Sequence, residues 1–522
     1  MRTRTGTAIL TLAMLLAACG GESSSDTTGV FRPDPVQRDS SRVDEWDARS
    51  DTTGAVSDGA EYRDEPYPDV AFDDPEVEPP EYADENRLST FALDVDTGSY
   101  TVGRTDLYDG HLPDPDSIRV EEWINFFAQD YSVPSTGEGF SMTVDGGVTP
   151  FTDEDTRVIR IGLRAEDVEE RPPASLTFVV DTSGSMKEGE RLEIVKESLA
   201  MLVRGLERDD LVTIVEFGSE AGLVLPPTWG DETDRILEAI DGLDPEGSTN
   251  FEHGLLMGYG AAERTFIEDG INRVVVASDG VANVGLVDPA GLTEEIRSSA
   301  DSGINLVTVG VGMGNYNDAL LEQLADDGDG FYAYIDTRDE AEDLFVRDLT
   351  GTLVTVAEDA RVQVEFDPDG VSSWRLLGYE NRAMADEDFR NDAVDAGELG
   401  AGHTVTALYE VRLTRAAEAG DVDRLGRVHL RWLDPATDDP QEMSRTLTTD
   451  DLVSAFRDTA PRFQLDVIVA QFAETLRRSP YNEVWRVEDL VSHARDVEER
   501  LADDEDVTEL VELIERADRL GA

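Results

Sequence analysis

The chain has 522 residues. A single hydrophobic core does not usually support so long a chain, so the length predicts two to four domains. Its 114 acidic residues outnumber its 44 basic residues and give a formal net charge of −70 at pH 7. This charge argues against a nucleic-acid partner, because binding phosphates requires positive charge.

The N-terminus has the pattern of an exported lipoprotein. Two arginines precede an apolar run from Ala8 to Leu16, which is too short to span a bilayer but typical of a secretory signal. The following Leu16-Ala17-Ala18-Cys19-Gly20 resembles the bacterial lipobox, and Cys19 is the only cysteine in the chain. The resemblance implies that residues 1–18 are a signal peptide and that Cys19 is lipidated. Glycine rather than aspartate after the cysteine, by resemblance to the sorting of Gram-negative lipoproteins, implies the outer membrane of the cell envelope.

A tether and a mixed region come next. Residues 19–86 are rich in Ser, Thr, Asp, Glu and Pro without apolar periodicity, which predicts a disordered acidic tether. Residues 87–172 form an N-terminal α/β region. Apolar spacing predicts a helix from Val120 to Phe127 and strands at Phe91 to Val95, Phe140 to Val144 and Val158 to Leu163.

Two enzyme motifs overlap near the start of this region. Asp96-Thr97-Gly98-Ser99 resembles an aspartic-protease turn, and Asp94-Val95-Asp96-Thr97 resembles the first motif of haloacid-dehalogenase phosphatases. The protease needs a second Asp-Thr/Ser-Gly turn so that two carboxylates share a proton, and no other segment matches it. The phosphatase needs a downstream lysine and an acidic pair, whereas both lysines lie in the loop and helix after Met186. We therefore interpret this segment as a strand ended by a turn.

Residues 173–355 alternate strands and helices. The apolar run Leu176 to Val180 predicts a buried strand, and Gly222 to Leu225 predicts a short edge strand stopped by Pro226-Pro227. A helix from Arg338 to Val354 closes the region. The alternation predicts an α/β fold with a mostly parallel, doubly wound, Rossmann-like sheet covered on both faces.

Three polar loops follow elements of this sheet. They are Asp181-Thr182-Ser183-Gly184-Ser185, Gly247-Ser248-Thr249-Asn250 and Ser278-Asp279-Gly280. Ligand sites of such sheets lie beyond the carboxyl ends of the strands. The side chains offer oxygen donors without histidine or cysteine, which favours a hard divalent cation such as Mg²⁺ over zinc.

In this order, the loops resemble the metal-ion-dependent adhesion site of von Willebrand factor type A (VWA) domains. The matching positions are Asp181, Ser183, Ser185, Thr249 and Asp279. The resemblance implies that the two serines coordinate Mg²⁺ or Mn²⁺ directly. Thr249 and the two aspartates would share direct and water-mediated contacts, leaving one position open for a carboxylate from a partner protein. The alternative, that these residues cap the helices that follow them, is compatible with coordination.

The C-terminal part is predicted to hold a β region at residues 356–450 and a helical region at residues 451–522. Predicted strands lie at Ala360 to Phe366, Ser373 to Tyr379, Thr404 to Leu413 and Arg427 to Trp432. Their number suits an antiparallel sandwich. Because strands flank the central region on both sides, we predict that the segment from Phe140 to Leu163 pairs with the later strands. The central domain would then be inserted into the sandwich.

The order of these regions resembles the YfbK-like bacterial lipoproteins, with Ser-Thr-Phe-x-x-Asp-Val-Asp-Thr at residues 89–97 and Arg-Val-Glu-Glu at residues 119–122. The sequence predicts a lipid-anchored, metal-dependent protein-binding module and no catalytic residue. The alternatives are a metal-assisted hydrolase and a structural envelope protein with an inactive site. The hydrolase lacks an obvious general base, and His253 near the second loop is interpreted as structural.

Overall fold

The protein is described by a computed structural model that covers residues 77–522, apart from residues 94, 153–155, 169–170, 246, 281–288, 313–317, 336, 339–340, 342–352, 392–393, 395, 438 and 483–486. The predicted signal peptide, Cys19 and most of the predicted tether lie outside the described residues, as does most of the predicted closing helix. The prediction that the disordered tether extends to residue 86 is wrong at its end, because Glu81–Tyr82 is a strand that pairs with Ser373 and Trp374. Among the helices that are described, none has both the length and the hydrophobicity needed to span a membrane.

The strands are β1 (Glu81–Tyr82), β2 (Leu88–Ala92), β3 (Phe140–Val148), β4 (Thr156–Ala165), β5 (Ala174–Asp181), β6 (Leu211–Phe217), β7 (Ala221–Trp229), β8 (Ile271–Ser278), β9 (Asn305–Val311), β10 (Tyr332–Ile335), β11 (Thr355–Phe366), β12 (Val371–Leu377), β13 (Gly397–Gly400), β14 (Thr404–Leu413), β15 (Arg424–Leu433), β16 (Pro440–Thr448) and β17 (Leu452–Val453).

The α-helices are α1 (Gly98–Tyr108), α2 (Val120–Asn125), α3 (Arg191–Arg204), α4 (Thr233–Asp241), α5 (Phe251–Arg264), α6 (Pro289–Ala300), α7 (Asp318–Asp326), α8 (Arg415–Glu418), α9 (Pro461–Leu476), α10 (Val487–Arg500) and α11 (Glu505–Leu520). Short 3-10 segments include Gly184–Glu190 and Glu380–Arg382.

The central sheet has the strand order β10-β9-β8-β5-β6-β7. All neighbours pair in parallel except β6 and β7, which are antiparallel. Every residue of β5 is buried, as expected for a strand in the middle of a sheet that is covered on both sides. The predicted mostly parallel α/β sheet is therefore confirmed.

Two hydrophobic cores cover the faces of this sheet. On one face, Leu199 of α3 and Ile236 of α4 belong to the core. On the other face, Leu255 of α5 and Leu324 of α7 belong to a second core. The two layers hold the strands rigidly, so the loops at their carboxyl ends rest on a fixed scaffold.

The edge strand β7 is longer than the sequence predicted. It runs from Ala221 to Trp229 and includes Pro226 and Pro227, so the prediction that the prolines stop the strand is wrong. Among the described strands, β7 pairs only with β6, and the register shifts next to Ile214. Proline is tolerated at such an edge because the missing N–H removes no bond from a second neighbour.

The strands before and after the central domain share one sheet. Its order is β1-β12-β14-β4-β3-β17. Strands β4 and β14 pair without a break from Arg164 opposite Thr404 to Thr156 opposite Arg412. The predicted pairing across the central domain is confirmed by this register. A second set of strands, β13-β11-β15-β16 with β2 beside β11, shares a hydrophobic core with the first. Strand β2 ends at Ala92, earlier than the predicted Val95.

The C-terminal helices form a core with the first two helices of the chain. Trp123 of α2 meets Phe472 of α9 edge to face, with ring centroids 5.5 Å apart. Tyr100 of α1 and Ile514 of α11 are buried in the same core. The N-terminal region therefore contributes strands to the sheets and helices to the C-terminal core.

A buried ionic network fixes α9 to the six-stranded sheet. Arg375 of β12 contacts Glu474 of α9 at 3.0 Å and Glu410 of β14 at 2.9 Å. Glu474 also contacts Arg477, which reaches Glu380 at 2.9 Å. Neighbouring charges hold the pKa of Glu474 below its usual value despite its burial. Glu474 therefore stays ionised and compensates two buried arginines at once.

A second ionic cluster joins the central domain to the flanking body. Arg119, just before α2, lies 2.9 Å from Glu322 of α7. Arg382 lies 3.3 Å from Glu322, 3.0 Å from Asp326 and 3.5 Å from Asp96. Asp96 and Arg119 belong to the two segments that carry the YfbK-like resemblance. These segments therefore help to build a structural joint, in which Asp96 pairs with Arg382.

Glu121 in the second of these segments gives a pH-dependent prediction. Burial and the nearby charge of Glu380 raise its pKa from 4.5 to about 7. The unfolded chain loses this proton near pH 4.5 and the folded chain only near pH 7, so stability falls as the pH rises between these values. We expect Glu121→Gln to exceed the wild type in free energy of unfolding by about 3 kcal/mol at about pH 8 and to match it near pH 4.

Urea unfolding at the two pH values measures this difference. Glu418→Gln, at an exposed position of α8, is the matched control and should track the wild type at both. A Glu121→Gln advantage that does not grow with pH would contradict the prediction.

Candidate metal centre

The three predicted loops meet at the carboxyl end of the central sheet. Asp181 is the last residue of β5 and Ser278 the last residue of the neighbouring β8. The second loop approaches from β6, because the backbone N–H of Asn250 donates to the carbonyl of Gly218 at 2.9 Å. The N–H of Gly184 donates to the carbonyl of Gly247 at 3.0 Å, which ties the first loop to the second.

Asp181 is fully buried and doubly hydrogen-bonded. One carboxylate oxygen accepts the backbone N–H of Ser183 at 2.7 Å, and the other accepts the hydroxyl of Ser278 at 2.6 Å. Burial raises its pKa to about 6, an effect that these hydrogen bonds oppose and the charge of Asp279 reinforces. A buried carboxylate of this kind gains free energy from a nearby positive charge.

A chain of oxygen contacts links the predicted site residues. The hydroxyl oxygens of Ser183 and Ser185 lie 3.0 Å apart. Ser185 donates to Oδ1 of Asp279 at 3.0 Å, while Nη1 of Arg191 donates to Oδ2 of Asp279 at 2.7 Å. Four of the five predicted residues are thus connected from Asp181 through the serines to Asp279.

Thr249 completes the set from the second loop. It is buried, with a relative exposure of 8%, and precedes α5. The cap of α5 is Asn250, whose side chain accepts the backbone N–H of His253 at 3.3 Å. Capping by Thr249, the alternative considered from the sequence, is therefore not seen. The hydroxyl of Thr249 does not cap α5, and it lies in the loop whose Gly247 carbonyl accepts the N–H of Gly184.

The donors fit a hard divalent cation in their chemistry. They comprise two carboxylates and three hydroxyls, which are ligands that Mg²⁺ and Mn²⁺ accept in proteins. In the part of the chain that the structure describes, no group of three or more His, Cys, Asp or Glu side chains offers a competing metal site. His253 is exposed in the first turn of α5. The role of these loops in metal binding stays a prediction.

Two residues near the site were not predicted. Ser278 was recognised only as part of its loop, although its hydroxyl contacts Asp181. Arg191, the first residue of α3, pairs with Asp279 across 88 positions of sequence. The only signal for Ser278 was its position beside Asp279 at the end of an apolar strand, and no local pattern marks Arg191. The exposed Lys187 lies between β5 and α3, in the segment Gly184–Glu190.

Family models and one relative show to which protein family the chain belongs. The model "von Willebrand factor type A domain" matches residues 176–281, "von Willebrand factor" matches residues 68–160, and "Uncharacterized protein YfbK, C-terminal" matches residues 351–520. The protein YfbK of Escherichia coli K12 is 37% identical over 438 residues, which cover 80% of this chain and 75% of that protein. The chain belongs to the YfbK family.

More distant similarities concern the VWA region. Inter-alpha-trypsin inhibitor heavy chain H3 of Pongo abelii is 26% identical over 274 residues, covering 47% of this chain and 30% of that protein. A solved structure of a von Willebrand factor type A protein from Catenulispora acidiphila has 15% identity and a TM-score of 0.41, covering 73% of this chain and 90% of that one.

These matches confirm the predicted family and VWA-type α/β fold of this YfbK-family chain. The match to the VWA domain model is consistent with a protein-interaction or adhesion module.

Proposed function

We propose that this YfbK-family protein is a lipid-anchored module that binds a partner protein through a divalent cation. The cation would be Mg²⁺ or Mn²⁺, held by Asp181, Ser183, Ser185, Thr249 and Asp279. Lipidation at Cys19 would attach the chain to the cell envelope, with the outer membrane as the favoured location. The partner would contribute a carboxylate.

One observation carries the cation part of this proposal. The buried carboxylate of Asp181 and the partly exposed hydroxyl of Ser185 are connected through Ser183, at the edge where Asp279 arrives from β8. The path leads from the protein interior to the surface. A cation held along it can be anchored from inside while one side remains accessible to a partner.

The cation also resolves a problem of charge. A protein with a net charge of −70 repels acidic partners at long range. A bound cation supplies a local positive charge and an open coordination position, so it attracts a carboxylate within this acidic surface. Salt weakens the long-range repulsion and leaves the coordinated contact less affected.

Capture of envelope proteins on the immobilised chain tests the proposal. We expect proteins that are retained in Mg²⁺ and released by EDTA, and Thr249→Val should lose them because valine keeps the volume of threonine without its hydroxyl. Thr233→Val is the matched control. Thr233 donates to the Gly230 carbonyl at 2.9 Å, near the opposite end of the sheet, and its replacement should retain capture.

Capture that persists in EDTA would contradict the proposal. Magnesium-dependent turnover of phosphoester or peptide substrates would instead favour the metal-assisted hydrolase.

A further inference from the structure

A guanidinium group lies within the cluster of oxygen donors. Nη1 of Arg191 lies 2.7 Å from Oδ2 of Asp279, and the two side chains are only 15% and 7% exposed. Shielding from water makes such a contact stronger than a surface ion pair. The pair is therefore part of the loop cluster itself.

The backbone of β9 makes room for this arginine. Gly312 follows β9 and has φ +82°, a conformation that favours glycine. A Cβ atom at this position would lie 2.1 Å from Nε and 2.5 Å from Cδ of Arg191. The aliphatic part of the Arg191 side chain thus passes directly over Gly312, in space that only a residue without a side chain leaves open. The local structure holds the guanidinium in a defined place.

Both carboxylate oxygens of Asp279 are occupied in this arrangement. Oδ1 accepts the hydroxyl of Ser185, and Oδ2 accepts Nη1 of Arg191. A divalent cation that uses Asp279 meets a positive charge already bound to the same carboxylate. The two cations repel each other, and the ion pair must weaken or break before Asp279 serves the metal fully.

We propose that Arg191 is an internal counter-ion that competes with the divalent cation for Asp279 and so lowers the cation affinity of the site. This inference rests on the proposed function, because it requires that the cation binds here. Arg191 is a positioning residue for Asp279 and does not itself coordinate. Its charge tunes the cation concentration at which the site fills.

Calorimetric titration of the full chain with Mn²⁺ tests this inference. Removing one unit charge so close to the site should lower the dissociation constant of Arg191→Gln by about tenfold or more. Arg191→Lys keeps the charge without the planar fork of the guanidinium and should fall between that variant and the wild type.

The matched control is Arg297→Gln. Arg297 pairs with Asp327 at 2.6 Å, next to the start of β9 and away from the carboxyl ends of the strands, so its loss should leave the dissociation constant unchanged.

Thermal unfolding gives a second readout that needs no partner. In EDTA, Arg191→Gln should unfold at a lower temperature than the wild type, because Asp279 loses its counter-ion. Saturating Mn²⁺ should then raise the unfolding temperature of this variant by more than it raises that of the wild type.

The outcomes separate this inference from the proposed function. Mn²⁺ binding by Arg191→Gln but not by the wild type would support the inference, since Arg191 would then block the site completely. Equal or weaker binding by Arg191→Gln than by the wild type would overturn the competition and leave the cation site intact. Absence of binding in both proteins would overturn the cation site and the inference with it.

Discussion

Replacement of Asp181 by alanine is expected to abolish binding of Mg²⁺ and Mn²⁺ to the full chain. Asp181 is fully buried at the end of β5 and supplies one of the two carboxylates of the candidate site. Without it, Asp279 alone remains, and Arg191 already pairs with Asp279. We expect a loss of affinity beyond the roughly 100-fold seen when outer-shell partners of metal ligands are removed.

Calorimetry measures this loss, and a second variant guards against misfolding. Asp181→Asn keeps one acceptor oxygen for the N–H of Ser183 and places an NH₂ donor against the hydroxyl oxygen of Ser278, which can accept it while donating to the Gly280 carbonyl. The substitution removes the charge, so the variant should fold and still fail to bind. Asp231→Ala is the control for the same change at an exposed position after β7. If Asp181→Asn and Asp181→Ala bound the cations with unchanged affinity, the assignment of the site would be wrong.

The second large effect concerns stability. Glu474→Gln is expected to lower the free energy of unfolding by about 3–5 kcal/mol, as is typical when one partner of a buried ion pair is removed. Glutamine has nearly the same shape, but it leaves Arg375 and Arg477 without the charge that both contact. Each arginine keeps one acidic neighbour, which opposes the loss without cancelling it.

Urea unfolding at neutral pH measures this cost against a surface pair of the same chemistry. Glu512→Gln removes the exposed contact between Glu512 and Arg516 on α11, at 2.8 Å, and should change stability by less than about 1 kcal/mol. A Glu474→Gln variant as stable as Glu512→Gln would show that α9 is held by its apolar core alone.

Local pattern was sufficient for the central sheet and for the positions of the three loops. The apolar run Leu176 to Val180 could only be a buried strand, and a parallel sheet places the ends of such strands together. This rule brings the three loops together, whereas the choice of the five proposed ligands within them rests on the resemblance to VWA domains. The pairing of β4 with β14 also followed from the symmetric placement of strands around the central domain.

Contacts between charged residues that lie far apart in the sequence could not be predicted from local pattern. Nothing near Arg191 indicates that its side chain reaches Asp279, because that contact depends on the open space above Gly312. Likewise, the sequence argued against a catalytic role for Asp96 only through the missing partner motifs, and gave no sign that Asp96 lies beside Arg382. The length of β7 was misjudged because the effect of a proline depends on whether its strand lies at an edge.

The distribution of lysine has a practical consequence for chemical footprinting. The chain contains two lysines, Lys187 beside the first loop and Lys196 in α3, whereas its other basic side chains outside histidine are arginines. Lys187 is exposed, and Lys196 contacts Glu193 and the carbonyl of Asp241. Acylating reagents therefore modify side-chain amines only in this part of the molecule. A partner bound at the proposed site would shield Lys187, so mass spectrometry of one peptide would report occupancy without an engineered label.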